Sequence, residues 1–377
     1  MIKSYKVRIY PTKEQEASIW QHIGSCRYIW NYMLAYQQEL YERGEKHLSA
    51  FSMINLLKPL KNDGEHGWLY EVSNSSLQRI CQDLASAYER FFKKTSGFPK
   101  FKSRKRSKPA YPVREAIWFS EKYVTVEKVG KVRYRTDFTL PLGRGHKFSN
   151  PRISYVNGKW LLSFGIECES QAPILTDKNM GIDLGVKDLA IAEYNGEQIV
   201  FHNINKSCRM RTLDKKLKRL QRSISRKYEA NRKGNRYART RNIERDENKL
   251  RKLHARIMNI RTNYIHQCTR KLISLLPQRV VMEDLNVQGM MKNKHLSKAV
   301  QEQCFYEFRR QMQYKCEWNG IELVLADRFY PSSKTCSCCG NIKRDLKLSD
   351  RVYKCDVCGA VIDRDYNAAI NLSRYVA

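Results

Sequence analysis

The chain opens on a two-residue rhythm. In KSYKVRIYP, Tyr5, Val7 and Ile9 alternate with Lys6 and Arg8, the pattern of a half-buried strand, and Pro11 ends it because proline lacks a ladder donor. Thr12 and Gln15 then form a capping-box pair, which predicts a helix from about Lys13. Trp20, Ile23, Ile29, Trp30 and Met33 carry it on at helical intervals. A second helix is predicted where Leu77, Ile80, Leu84, Tyr88 and Phe91 step by three or four behind Ser73, Ser75 and Ser76, which could cap it. Residues 12–95 therefore read as mostly helical. Period two returns in KYVTVEKVGKVRYRTDFTL and NPRISYVNGKWLLSFGIECE, with turns at Gly130 and NGK, so antiparallel strands follow. The first strand is expected to join that sheet, which makes the helical block an insertion into a small β-domain.

A different unit begins near residue 177. KNMGIDLGVKDLAIAEYNGEQIVFHN reads as a three-stranded meander. Beyond it, Leu213, Leu217, Leu220 and Ile224 form one apolar stripe, and Leu250, Leu253, Ile257, Ile260 and Tyr264 another. Two helices packed as an antiparallel hairpin around a polar turn near Gly234 would bury both.

Charge changes the picture next. The 377 residues, enough for two or three domains, hold 70 Lys and Arg against 38 Asp and Glu, a net +32. A hydrophobic share of 42% excludes a disordered basic tail, so the excess belongs to a folded protein with a polyanionic partner. Residues 93–108 carry eight Lys or Arg and no acid, with Phe98 and Phe101 among them. Cations beside aromatic faces suit phosphates and stacked bases together, which marks a nucleic-acid contact. Residues 206–261 carry 21 Lys or Arg against five acids, a face that repels itself unless phosphate neutralises it. No apolar run approaches the roughly 18 residues of a membrane-spanning helix, and the N-terminus shows no signal-peptide stretch, so the cytosol is expected.

Neither a phosphate-binding Walker loop, nor a G-x-S-x-G elbow, nor H-E-x-x-H occurs, and the eight His are dispersed. Carboxylates remain. Asp183 in MGIDLG lies between glycines on one face of a strand whose other face carries Met180, Ile182 and Leu184. Glu283 ends the apolar run Val280 to Met282, and Asp363 and Asp365 open a C-terminal helix. An acid buried on a strand is costly unless paired or metal-bound. Acids on a first meander strand, a later apolar strand and a closing helix form the carboxylate set of an RNase H-like nuclease. Such a set suits hard Mg²⁺, two ions of which would activate water and stabilise a departing oxygen. Of twelve Cys, Cys26, Cys81, Cys168, Cys208, Cys268, Cys304 and Cys316 read as reduced core residues. Cys336-x₂-Cys339 and Cys355-x₂-Cys358, each followed by glycine, have zinc-ribbon spacing, with Cys338 spare.

GIDLG, MEDLNV, CSCCG…CDVCG and DRDYNAAIN, in that order behind RIYPTKEQ and GFPKFKS, resemble the transposon-encoded TnpB nucleases, relatives of the compact type V CRISPR effectors. The resemblance implies an α+β multidomain fold: a RuvC-like (RNase H-like) nuclease domain over 177–330 and 361–377, interrupted by a zinc ribbon over 331–360. It also implies a β-barrel-like wedge domain over 1–11 and 109–176, carrying a helical recognition lobe with its basic linker over 12–108. It makes the protein an RNA-guided DNA endonuclease that binds a noncoding guide RNA, reads a short flanking motif and cleaves double-stranded target DNA with Mg²⁺. The implied catalytic acids and magnesium ligands are Asp183, Glu283 and Asp365. Asp363, about 200° round the helix from Asp365, suits an N-cap instead. The four ribbon cysteines would hold structural zinc. Lys100, Phe101, Lys102, Arg104, Lys105, Arg219, Arg222 and Arg226 are the expected nucleic-acid contacts, in a bacterial or archaeal cytoplasm at the nucleoid. A nuclease-inactive RNA-guided repressor, a CRISPR-associated effector and an RNA-independent transposase are the rival readings; three intact carboxylates oppose the first.

Overall fold

The strand that opens the chain is central in its sheet. In the computed structural model, which describes residues 2–114, 117–143, 146–168, 173–234, 236–347 and 350–376, β1 (Ile2–Tyr10) runs antiparallel between β7 (Lys159–Glu167) and β5 (Gly130–Arg135). Three further strands, β2 (Ala110–Pro112), β3 (Trp118–Phe119) and β4 (Tyr123–Val126), and the long β6 (Phe148–Val156) complete seven strands in the order β2-β6-β7-β1-β5-β4-β3. Its alternation is legible in burial, since Val7 and Ile9 face inward at 1% exposure while Lys6, Arg8 and Tyr10 are exposed. Between β1 and β2 lie the helices α1 (Lys13–Glu42), α2 (Ala50–Asn55), α3 (Leu57–Lys61) and α4 (Asn74–Phe92). Both halves of the Thr12–Gln15 capping box form, and Ser73 caps α4. Ile19, Ile29, Leu77 and Leu84 share one core with Val132, Leu162 and Phe164. This unit ends near residue 169, and a second compact unit takes the rest of the chain.

In the second unit β8 (Asn179–Leu184), β9 (Asp188–Tyr194) and β10 (Glu197–His202) form the meander. The basic helices α5 (Cys208–Ala230) and α6 (Arg241–Ile273) pack through Met210, Leu213, Leu253 and Ile257, and a short ribbon of β11 (Arg232–Lys233) and β12 (Arg236–Tyr237) makes their turn. The chain then returns to the sheet with β13 (Arg279–Glu283), passes through α7 (Val287–Lys292), α8 (Ser297–Gln303) and α9 (Phe305–Asn319), and adds β14 (Glu322–Ala326). The sheet order is β10-β9-β8-β13-β14, with β13 parallel to both β8 and β14. A small hairpin of β15 (Val352–Lys354) and β16 (Val361–Asp363) leads directly into the closing helix α10 (Arg364–Ser373).

Strand alternation assigns the two faces of this sheet. Met180, Ile182, Val280 and Met282 pack with Leu272, Phe308 and Met312 of α6 and α9. Val281 faces the other way, against Leu372 of α10. Gly181 shares that second face, where a Cβ would clash with the Ala369 carbonyl oxygen and the Ser373 amide nitrogen. A glycine there is thus a packing requirement: α10 lies too close to β8 for any side chain. None of the scattered cysteines is in a disulfide among the described residues, but only Cys26, Cys81, Cys268 and Cys316 are buried. Cys168 and Cys304 are half-buried, and Cys208 is exposed at the start of α5, so these three correct the expectation of seven core residues. Among the described residues no helix is long and apolar enough to cross a membrane.

Candidate active site

Asp183 is two residues beyond Gly181, and Glu283 two beyond Val281, so period two puts both carboxylates on the face that α10 covers. The register of β8 and β13 pairs Met282 with Ile182, which makes Asp183 and Glu283 neighbours at the next position. Asp365 comes from the first turn of α10. All three are half-buried, and none forms an ion pair among the described residues. Burial, followed by the charges of Glu283 and Asp365, pushes the Asp183 carboxyl well above the usual carboxylate range, and Arg364 only partly offsets them. Burial likewise raises Glu283, opposed by a hydrogen bond from Ser332 and by Arg364, and raises Asp365.

The neighbouring acids have different occupations. Asp284 accepts hydrogen bonds from Arg309 at 2.7 Å and Arg328 at 2.6 Å, which hold its carboxyl below the usual range. Asp363 caps α10, accepting from the amides of Asp365 at 3.0 Å and Tyr366 at 3.1 Å. The cap turns Asp363 back on its own helix, and among the described residues no donor reaches the Asp365 carboxylate. Three mutually repelling acids with no direct ion pair among the described residues, their charge only partly offset by Arg364, fit a hard divalent cation held by oxygen. They are not drawn as tightly as the cysteines, the only set of three or more potential ligand groups, among the described residues, whose donor atoms all lie within 4.8 Å of one another.

That set is Cys336, Cys339, Cys355 and Cys358. Cys336 Sγ lies 3.6 Å from Cys358 Sγ, and Cys339 Sγ lies 3.5 Å from Cys355 Sγ, close to the edge of about 3.8 Å in a tetrahedron with Zn–S bonds near 2.3 Å. The two knuckles repeat each other. Gly340 donates to the Cys336 carbonyl at 2.9 Å and Gly359 to that of Cys355 at 3.1 Å, both glycines at positive φ. The amides of Val357 and Cys358 lower the Cys355 thiol to about 6, which favours a thiolate ligand. Cys338 is exposed and stands outside the set.

The ribbon is tied to α10 by two residues of DRDYNAAIN to which the sequence assigns no role. Asn367 and Asn371, one helical turn apart, send their amide side chains into segment 332–337, on the path from β14 to the first knuckle. Ser332, in that segment, donates to Glu283. These polar positions escaped sequence reasoning because their partners are backbone atoms or a distant acid.

The expected nucleic-acid residues fall into two groups. On α5, Arg219, Arg222 and Arg226 are exposed on one face. In the linker, Lys100, Phe101, Arg104 and Lys105 are exposed, but Lys102 is not. Its ammonium sits 3.4 Å from the centre of the Trp30 ring, its backbone pairs with the Asn31 side chain, and burial lowers its pKa to about 8. Lys102 therefore anchors the linker on α1, a role other than the phosphate contact expected of it. Phe98 packs edge-on against Tyr88 and Phe91 and is likewise partly used internally.

Comparison with known proteins agrees in order and extent. A family described as "Probable transposase" matches residues 163–294, a "Helix-turn-helix domain" family matches 1–46, and "Cas12f1-like, TNB domain" matches 305–372. A protein of Streptomyces pristinaespiralis is 33% identical over 98% of this chain and 88% of its own, and one of Escherichia coli strain K12 is 30% identical over 98% and 91%. Both bear the name "Putative RNA-guided DNA endonuclease". The fold is similar to that of Cas12f1 in a complex with single-guide RNA and target DNA, with a TM-score of 0.64 at 14% identity over 99% of this chain and 98% of that one. With one-third identity to a relative across nearly its whole length, the chain belongs to the IS605 OrfB family, the TnpB proteins.

Proposed function

We propose that this protein is an RNA-guided DNA endonuclease, which binds a noncoding guide RNA, recognises a short motif beside the target and hydrolyses target DNA with the acids of its second unit. The observation that carries this reading is the gathering of Asp183, Glu283 and Asp365, half-buried and without an ion pair among the described residues, between one sheet face and α10. Three antiparallel strands followed by two parallel ones, with the first strand central, support an RNase H-like, specifically RuvC-like, nuclease domain. The curated relatives carry an endonuclease name over almost the same length, which supports the same activity here.

Asp183, Glu283 and Asp365 are the residues that would hold magnesium. Bound there, a pair of Mg²⁺ ions would supply an activated water and neutralise charge on the departing 3′ oxygen. The chain itself positions the three carboxylates and partly offsets their repulsion: Arg364 opposes the raised pKa values, Ser332 occupies one Glu283 oxygen, and the Asp363 cap sets the first turn of α10. The cysteines close a four-sulfur shell, which leaves no position for water, so zinc is structural. The seven-stranded sheet would serve as the wedge domain, α1 to α4 as the recognition lobe, and the exposed bases of residues 100–105 and α5 as phosphate contacts. The reading is tested by purifying the protein from cells that carry its native flanking DNA and sequencing the RNA that accompanies it. One defined noncoding species is expected; protein free of RNA that selects duplex DNA alone would overturn it.

A further inference from the structure

We propose that Ser332 is a positioning residue for Glu283, and that α10 holds it in place, together with the first zinc knuckle, through Asn367 and Asn371. The inference rests on the reading of Glu283 as a metal ligand. Ser332 is 2% exposed, in a turn where a hydroxyl could satisfy itself on local backbone. It instead donates to the carboxylate of Glu283, 49 residues away in sequence, and so occupies one of its two oxygens.

Ser332 is held by two buried amide side chains of α10. Asn367 and Asn371 are 0% and 5% exposed, and burying an amide is costly unless its donors and acceptor are matched. Asn371 Nδ2 donates to the Ser332 carbonyl at 2.8 Å and the Thr335 carbonyl at 2.7 Å. Asn367 Nδ2 donates to the same Thr335 carbonyl at 2.7 Å, while its Oδ1 accepts from the Ser337 amide at 3.0 Å. Alanine or leucine would bury as well, but only directional groups fix the position of a backbone segment. Cys336, a zinc-set cysteine, lies between Thr335 and Ser337, so the knuckle and the Ser332 turn are clamped to α10 together. Because α10 also carries Asp365, one clamp sets two of the three acids. Partners of this kind, which hold a metal ligand from behind, typically change metal affinity or activity by about 10- to 100-fold when removed.

The experiment compares wild type, Ser332→Ala, Ser332→Thr and Glu283→Ala as RNA-loaded complexes on target DNA. Four quantities are measured: melting temperature, bound zinc, the Mg²⁺ concentration for half-maximal cleavage, and polypeptide scission by iron(II) with ascorbate and peroxide, which cuts chain beside the ion. Ser332→Ala is expected to keep its zinc and melting temperature, to need about 10- to 100-fold more Mg²⁺, and to lose iron-directed scission near Glu283. Ser332→Thr, which keeps the hydroxyl, is expected to restore both metal readouts. Wild-type Mg²⁺ dependence and scission in Ser332→Ala, beside their loss in Glu283→Ala, would overturn the proposal. Loss of zinc or of melting temperature in Ser332→Ala would also overturn it, by making the hydroxyl a packing element. Normal cleavage and scission in Glu283→Ala would instead remove the reading of Glu283 on which the proposal stands.

Discussion

Two aspartates separated by one residue divide the work of a helix start. Asp363 bonds two amides of α10, whereas Asp365 is left for the cluster of acids. Replacing Asp363 by Ala is expected to cost about 1 kcal/mol, the worth of an N-cap, and to leave substantial cleavage. Asp365→Ala is expected to abolish cleavage at unchanged RNA loading, and a gel assay of the two variants checks the contrast. Asp183 makes a separate prediction. Its folded pKa is raised, so it contributes stability only when protonated, and that contribution is lost as pH climbs through the raised value. At neutral pH in chelator, Asp183→Asn should therefore melt higher than wild type, by about 2–4 °C per kcal/mol recovered. Adding Mg²⁺ should stabilise wild type and not the variant; thermal melts at pH 5 and pH 7.5 would show the gap shrink at the lower pH. The difference between Asp363 and Asp365 was legible before the fold, because helical rotation separates them. Ser332 was not, since nothing in PSSKTC indicates that one hydroxyl reaches back to MEDLNV.

At the scale of elements, β8 and α10 are matched by the absence of a side chain. Gly181→Ala would drive a methyl into the α10 backbone, which cannot rotate away as a side-chain tip could. The expected cost is about 1–3 kcal/mol of overpacking, with cleavage falling by about 100-fold if Asp365 moves by an ångström. Chemical denaturation and a cleavage rate at saturating Mg²⁺ measure the two. The ribbon is coupled to the same helix, so Cys355→Ser, or zinc stripped by a strong chelator, should loosen α10 and stop cleavage while guide RNA stays bound. Metal analysis below about half an equivalent of zinc in fresh protein would contradict a one-ion ribbon. Elements with strong periodicity were legible: the Thr12 cap, the α5–α6 stripes, the meander and the paired knuckles all appear where the pattern put them. The linker was legible in charge but not in contact, because a cation over an aromatic ring is indistinguishable in sequence from one facing phosphate.

For the whole molecule, the net charge of +32 is a statement about its partner. Binding of guide RNA should weaken steeply with salt, log K falling by about 0.7 per log unit of salt for each phosphate contact on a single strand. Replacing Arg219, Arg222 and Arg226 together by Ala should flatten that slope by about two, without altering melting, since all three are exposed. An unchanged slope would place the RNA elsewhere. The central claim, however, is that one cluster of acids on a sheet face cuts DNA chosen by RNA. Its most direct measurement is guide-directed cleavage by Asp183→Ala against wild type, at equal RNA loading, equal target binding and saturating Mg²⁺. Wild type should cut the matched target and leave 5′ phosphate and 3′ hydroxyl ends, while the variant binds the same target and leaves it intact. Cleavage by Asp183→Ala at the wild-type rate would contradict the account.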